Sequence, residues 1–255
     1  MGILNATPDS FYDGDPSFSV EKLIDKGKRL FDEGADILDI GGESTKPGSN
    51  PVSTDEEIKR ILPLIKVLCK LGPISVDTRN PEVAEVACAE GITMINDVEG
   101  LRNPKMAEVV IKYQVNICIM HMLRVPATMQ QAPVYEKGVI QDIFNTFEAR
   151  LQTLDYRGFS KDKIWLDPGI GFGKTVADNW EILHNLPVFK KLGYPLLVGL
   201  SRKSFMSKIL NKKPQDLLAA TLAMNAKIYE HVDIFRVHDV KEHRDLIDLF
   251  SYRST

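Results

Sequence analysis

The sequence has little that would mark a metal centre, a disulfide scaffold, a membrane protein or a nucleic-acid binder. Its three cysteines, Cys69, Cys88 and Cys118, lie far apart in apolar runs. No ligand-like spacing joins them, so they read as buried thiols of a reducing compartment. There are five histidines, and none forms the His-x-His pair that a metal-dependent hydrolase barrel places at a strand end. His184, His231 and His243 fall on or beside expected helices and read as solvated. Positive charge is not in excess: 32 Lys and Arg against 35 Asp and Glu give a net charge of −3. That balance provides no electrostatic footprint for nucleic acid or an anionic membrane. No apolar run reaches the ~18 residues a bilayer span needs, and no secretory leader is visible, so a cytoplasmic location is expected. Linkers, repeats and low-complexity tracts are also missing, which leaves one domain over residues 1–255.

What is present is alternation. Strand-like runs occur at Gly2–Asn5, Ile37–Ile40, Ile74–Asp77, Met94–Asp97, Asn116–His121, Ile164–Asp167, Leu196–Ser201 and Ile234–His238. Between them lie amphipathic stretches, such as Val20, Leu23, Ile24, Leu30 and Phe31, then Ile58, Ile61, Leu62, Ile65 and Leu68. Thr54 with Glu57 has the spacing of a capping box, and Asn80-Pro81 and Asn103-Pro104 each place a cap before a first-turn proline. Eight such units of roughly 32 residues predict an α/β (β/α)8 TIM barrel. A doubly wound open sheet is the rival.

The most informative stretch is Ile164–Thr175, IWLDPGIGFGKT. An apolar strand ends in Asp167, Pro168 turns the chain, and Gly169, Gly171 and Gly173 would let the backbone pass close to a ligand. Its Gly-Lys-Thr ending suggests a phosphate-cradling P-loop, but Pro168 stands where that motif needs glycine and no helix is expected directly after it. A loop without a role would have the same glycines. What favours a site is repetition, because a barrel carries its active site at the carboxyl ends of its strands. Those ends here are Asn5, Asp39, Asp77, Asn96, Met120-His121, Asp167, Ser201, and Arg236 with His238. Helix capping would account for any one aspartate but poorly for three with two asparagines. Carboxylates and amides facing one pocket suit a heterocycle rich in N–H donors. Arg236 and His238 share a strand face, as alternate residues do, and can hold a phosphate or carboxylate. Lys203 could in principle form a Schiff base, but nothing predicts the apolar pocket that this chemistry requires.

Seven stretches carry a resemblance: MGILNATPDSFYDG (1–14), LDIGGESTKPG (38–48), ISVDTRNPEVAEVA (74–87), INDVEGL (95–101), DPGIGFGK (167–174), GLSRKSF (199–205) and RVHDV (236–240). Together, in this order and nearly end to end, they resemble the pterin-binding barrel family in its dihydropteroate synthase branch. The resemblance implies a transferase of folate biosynthesis and a target of sulfonamides. The amine of p-aminobenzoate would displace pyrophosphate from 6-hydroxymethyl-7,8-dihydropterin diphosphate, giving 7,8-dihydropteroate.

By the same resemblance, Asp77, Asn96, Asp167 and Lys203 bind the pterin, with Met120 and Phe172 lining its pocket. Arg236, His238 and Asn5 handle the diphosphate, Asn5 through a bound Mg²⁺, and Asp39 sits near the diphosphate or its metal. Asp39, Lys203, Arg236 and His238 are therefore the expected catalytic set. Thr45, Pro47 and Ser201 contact p-aminobenzoate once loops near residues 6–18 and 41–53 close, with Gly14, Gly41, Gly42 and Gly48 as hinges. A homodimer through the outer helices of the last third is implied.

Three departures from the family pattern stand out. Lys46 replaces a usual arginine and loses its planar fork. Glu99 stands where a small polar residue is usual. Met1 already opens the first strand, where members carry residues ahead of it, so a piece of a longer, multifunctional folate polypeptide is also compatible. A methyltransferase acting on methyltetrahydrofolate shares the barrel, but Ser201-Arg202-Lys203 and Arg236-Val237-His238 prepare for a diphosphate that this substrate lacks. A non-catalytic pterin-binding paralogue is the remaining alternative.

Overall fold

Short apolar runs bounded by Gly, Pro or Asp form parallel strands in the computed structural model, which describes residues 1–7, 20–44, 49, 51–124 and 128–252. In chain order the first half runs β1 (Gly2–Asn5), α1 (Val20–Asp32), β2 (Leu38–Gly41), α2 (Thr54–Leu68), β3 (Ile74–Asp77), α3 (Pro81–Ala89), β4 (Met94–Asp97), α4 (Pro104–Tyr113), β5 (Asn116–Met120) and α5 (Val139–Tyr156). The second half runs β6 (Ile164–Asp167), α6 (Val176–His184), α7 (Leu186–Lys190), β7 (Leu197–Val198), α8 (Ser204–Leu210), α9 (Leu218–Lys227), β8 (Ile234–Phe235) and α10 (Val240–Ser251).

β1 to β6 pair in sequence order, and β7 pairs with β8. A Leu166–Leu196 bridge joins β6 to β7, and a Gly2–Val237 bridge joins β8 back to β1. The strands therefore form a closed ring with no order reversal. This is the (β/α)8 barrel, and it excludes the open doubly wound sheet. β7 and β8 are shorter than the runs at 196–201 and 234–238, because the backbone after Val198 leaves the ladder to turn through Arg202, whose φ is 58°.

Strand alternation sorts the side chains into two sets. Leu4, Leu38, Ile40, Val76, Ile95, Ile117, Ile119, Leu166 and Val198 pack outward against the helices in the main core. Met1, Met94, Cys118 and Leu197 fill the interior as a separate cluster with Trp165 and Ile234. One step of two residues above them stand Asn96, Met120, Gly199, Asp167 and Arg236. The polar tips are thus the upper layer of an apolar barrel interior. Among the described residues no helix is long and apolar enough to cross a membrane.

Local signals require four corrections. α2 is capped by Ser53, whose hydroxyl accepts from Glu56 N at 3.2 Å, so the Thr54–Glu57 box does not form. The helix starts one residue earlier than expected, and Glu57 turns inward to accept from Asn80 Nδ2 at 2.6 Å. Asn80 consequently gives its helix no side-chain cap, whereas Asn103 does cap α4. A helix does follow the glycine stretch directly, because Thr175 and Asp178 make the reciprocal capping box of α6. His243 is buried rather than solvated, its Nδ1 bonded to Asp239 O at 2.6 Å. The thiols are free, with Cys88 and Cys118 buried and Cys69 only half-buried.

Candidate active site

Asp77, Asn96, Val98, Met120, Asp167, Ile170, Phe172, Gly199, Lys203 and Arg236 line one recess at the carboxyl ends of the strands. Seven of these ten are expected site residues, and the other three, Val98, Ile170 and Gly199, lie in the motifs that carried them. Val98 and Gly199 follow from strand spacing, two residues beyond Asn96 and Leu197.

Arg236 organises the floor. Its Nε donates to Asp39 Oδ2 at 2.5 Å and one terminal nitrogen donates to Asp77 Oδ2 at 2.7 Å. Asn96 Nδ2 also donates to Asp39 Oδ2, at 3.0 Å. Asp39 is fully buried and lies beneath the recess, where its Oδ2 is the shared acceptor of Arg236 and Asn96. The sequence suggested a place at the reacting groups; the inward pleat puts this residue one layer deeper. Asp39 Oδ1, Asp77 Oδ1 and Asn96 Oδ1 are all buried and have no partner among the described residues, and of these residues Asp77 and Asn96 line the recess. A buried acceptor without a donor costs about 1–3 kcal/mol unless a ligand supplies one. A ligand in the recess with N–H donors would satisfy the Asp77 and Asn96 oxygens.

Burial pushes the Asp77 carboxyl up to about 7 against the pull of Arg236. It also raises Asp167, which the Gly169 N–H and Lys203 partly offset. Asp167 Oδ1 accepts from Gly169 N at 2.7 Å, which holds the carboxylate in one orientation. Lys203 is drawn down to about 8 by burial, Asp167 and Asp77 opposing the shift. Its ammonium lies 4.1 Å from the centroid of the Phe172 ring, a cation–π contact that forms one wall. Although burial works against its charge, Asp39 and Asp77 keep the Arg236 guanidinium above its ordinary pKa.

Two of the three glycines do a different job from the one expected, while Gly171, with φ 84°, does lie against the Lys203 side chain. Gly169 has φ 69°, and a Cβ there would meet His121 O at 1.9 Å. Gly173 has φ 67°, and a Cβ would lie 2.6 Å from Leu123 Cβ. Both let the loop approach the end of β5 rather than a ligand. Lys174 likewise does not add a cation to the recess. It is buried and points into the protein, bonded to His121 and Phe172.

Ser201 and His238 sit together beside Arg236. Ser201 Oγ lies 3.0 Å from His238 Nδ1 and accepts from His238 N at 3.2 Å. Burial, then Arg202 and Arg236, lowers His238 to about 3, so it is a neutral imidazole at pH 7. The expected basic pair is therefore one cation, Arg236, and one neutral donor, whose Nε2–H has no hydrogen-bond partner among the described residues and can meet an anion. Arg202 takes the left-handed conformation of the turn and reaches away to Asp239, at 2.5 Å and 3.4 Å. That bidentate pair holds a backbone geometry unfavourable for a bulky residue, with Ser201 and Lys203 on either side of it.

Glu99 has a physical account. Arg79 forks onto Glu43 with two 2.9 Å bonds and extends to Glu99 at 3.3 Å. Arg60 donates to Gly42 O at 2.9 Å. Two arginines therefore fix the root of the loop after β2, and Gly42 is held rather than free to hinge. Asp97 was not among the expected residues; its carboxylate closes the next loop onto Glu99 N and Leu101 N, at 2.9 Å and 2.7 Å.

Asn5 ends β1, in register with Gly41, which in turn pairs with Asp77. Among the described residues no group of three or more His, Cys, Asp or Glu could hold a metal. One amide oxygen at Asn5 fits a hydrated Mg²⁺ that arrives on a phosphate-bearing ligand, since Mg²⁺ keeps several waters and substrate oxygens. Thr45, Lys46, Pro47, Gly14 and Gly48 lie outside the described residues.

Known proteins match the chain over almost its whole length. The family model described as pterin binding enzyme matches residues 1–238. Dihydropteroate synthase from Escherichia coli is 39% identical over 245 residues, covering 95% of this chain and 86% of that protein. The crystal structure of dihydropteroate synthase from Clostridium difficile in the presence of pteroic acid aligns with a TM-score of 0.90 at 43% identity, covering 99% of this chain and 96% of that one. The Xanthomonas albilineans enzyme in complex with 7,8-dihydropteroate aligns with a TM-score of 0.88 at 37% identity, covering 98% and 91%.

Proposed function

The chain belongs to the pterin-binding enzyme family, and from that premise we infer a dihydropteroate synthase activity and the following roles for its residues. It is a transferase of folate biosynthesis. It condenses 6-hydroxymethyl-7,8-dihydropterin diphosphate with p-aminobenzoate, releasing pyrophosphate and 7,8-dihydropteroate. The observation that carries the reading is the recess itself: unpartnered acceptors on Asp77 and Asn96, the Asp167 carboxylate and the Lys203 ammonium on one set of walls. That array complements an aminopterinone ring, whose N–H groups need acceptors and whose carbonyl needs a donor.

Asp167 would accept from the 2-amino group and a ring N–H as a fork, and Lys203 would donate to the ring carbonyl. Arg236, held by Asp39 and Asp77, and the neutral His238 Nε2–H would take up charge on the departing diphosphate. Asn5 would hold the Mg²⁺ that comes with the diphosphate, and the ion would neutralise the leaving group. The displaced group departs from a carbon on an electron-rich ring, so the C–O bond can break well ahead of attack by the amine. The residues then need to bind, orient and exclude water more than to move protons. Ser201 would meet p-aminobenzoate, with Thr45 and Pro47. Homodimerisation and a cytoplasmic location belong to the same proposal; α9 supports the first by turning Ala219 and Ala223 outward and its polar Thr221 and Asn225 inward.

Incubating the purified chain with the dihydropterin diphosphate, Mg²⁺ and p-aminobenzoate is expected to yield 7,8-dihydropteroate, read by chromatography. No product from a chain that still binds the pterin would refute the assignment.

The pH dependence follows from the two shifted groups. Asp77 offers acceptors at both oxygens only when ionised, and protonation puts an O–H donor among them, so kcat/KM should fall as pH drops below about 7. Lys203 donates as an ammonium, so kcat/KM should fall again above about 8. Lys203→Met should lower the plateau and remove the alkaline limb alone. An alkaline limb that survives in this variant would assign it to another group.

A further inference from the structure

The loop that carries Phe172 is gripped peptide by peptide from outside the recess. Gln130 Nε2 donates to Gly171 O at 2.6 Å, Lys174 Nζ to Phe172 O at 3.0 Å, and the Tyr135 hydroxyl to Gly173 O at 2.8 Å. Asn179 Oδ1 accepts from Gly171 N at 2.7 Å. Lys174 differs from the other three because it is a buried amine, its pKa drawn down to about 7 by burial against the pull of Asp167, and because it is tied to a second chain of groups. Its remaining protons meet His121 O at 3.3 Å and His121 Nδ1 at 3.1 Å. His121 Nε2 lies 2.9 Å from Asp142 Oδ1, in the first turn of α5.

The donor and acceptor count closes with one assignment. The Asp142 carboxylate can only accept, so His121 Nε2–H donates to it, and the neutral ring then presents its Nδ1 lone pair to Lys174, which fills all three of its contacts as a donor when protonated. Burial, followed by Lys174, brings His121 down to about 4, which keeps the imidazole neutral as this requires. His121 in turn holds Asp142 below the usual carboxylate range. Lys174, His121 and Asp142 therefore link the β6–α6 loop, the end of β5 and the start of α5. None of the three side chains reaches the recess described above that would take the pterin.

We propose that Lys174, oriented by the His121–Asp142 pair, is a positioning residue for the pterin pocket. It fixes the Phe172 peptide, and with it the ring on which the Lys203 ammonium rests. Without Lys174 the half-buried Phe172 carbonyl loses its partner, the loop shifts to find water, and the wall beside Lys203 moves with it. The p-aminobenzoate contacts come from other loops and are spared. The proposal rests on the synthase reading for the identity of the ligand, but its test reads binding rather than turnover.

Calorimetric titration of the dihydropterin diphosphate into Lys174→Met should show a dissociation constant raised by about tenfold or more, the scale of one charge-assisted hydrogen bond. The KM for p-aminobenzoate in the same variant should stay within about twofold of wild type, the ordinary spread for a contact left in place. If Lys174→Met does not fold, two His121 variants decide the question. His121→Gln keeps an acceptor for Lys174 and a donor for Asp142 and should recover most of the pterin affinity; His121→Phe keeps neither and should not. Asp142→Ala, at the half-exposed outer end, should weaken the pterin in the same direction by a smaller factor. Equal weakening of both substrates, or His121→Phe binding as tightly as wild type, would overturn the proposal. A wild type that binds the pterin diphosphate but forms no dihydropteroate would refute the synthase reading and leave these binding ratios fully interpretable.

Discussion

Asp167→Asn is expected to abolish measurable pterin binding while leaving the barrel folded. The substitution keeps the volume and the oxygen that accepts from Gly169 N at 2.7 Å, so the turn after β6 survives. What changes is the face toward the recess, where an amide N–H₂ would meet the N–H donors of the ring. Two accepted bonds become at least one donor-to-donor clash inside a buried site. Sites built around such hydrogen bonds reject a mismatched partner by about 10⁴-fold, so calorimetry should detect no binding at millimolar pterin. Stability should move the other way. The Asp167 pKa is raised, so the folded state disfavours its charge, and a neutral isostere removes that penalty. An increased Tm together with lost binding is the expected signature; near-normal affinity would refute the placement of this carboxylate.

Arg236→Met is expected to have the largest combined effect on stability and turnover. The guanidinium is the partner that Asp39 Oδ2 and Asp77 Oδ2 share, and both carboxylates are buried. Removing one partner of a buried ion pair costs about 3–5 kcal/mol because a charge is left uncompensated. The loss should be greatest at high pH and shrink as pH falls. Asp77 already titrates near 7, and without Arg236, which holds it down, it takes up a proton at still higher pH. Urea unfolding at pH 8 and pH 6 measures this difference. Turnover should fall by about 10²–10³ even where the variant is folded, the usual result of deleting one preorganised charge stabiliser. Arg236→Lys should recover little, since one ammonium cannot bridge Asp39 and Asp77 as the planar fork does. A variant with unchanged stability at pH 8 would contradict the network.

Much of this was readable from residue order. Alternating strands and amphipathic helices specify the barrel, and polar residues ending apolar runs specify its active face. Asp77, Asn96, Met120, Asp167, Phe172, Lys203 and Arg236 do meet at one recess. What was not readable depends on depth and on contacts across the ring. Asp39 and Asp77 look alike as strand tips, yet pleat and stagger bury one beneath Arg236 and leave the other on the wall. The Arg79 fork onto Glu43 and Glu99 joins residues 36 and 20 positions apart, which no local pattern reports. Lys174 read as a site cation because a lysine's direction is set by the acceptors it finds, here the carbonyls of His121 and Phe172. The neutral state of His238 likewise comes from its burial and then from its cationic neighbours rather than from its place in the motif.

The most direct test is a crystal structure of the chain with a non-reactive 6-substituted aminopterinone and p-aminobenzoate. The ring should lie in the recess between Asp77, Asn96, Asp167 and Lys203, its 2-amino group on the Asp167 carboxylate and its 6-substituent directed toward Arg236 and His238. A ring bound instead in the neighbouring cavity of about 120 Å³ between Glu99, Arg102, His121 and Arg150, with Asp167 untouched, would contradict the account.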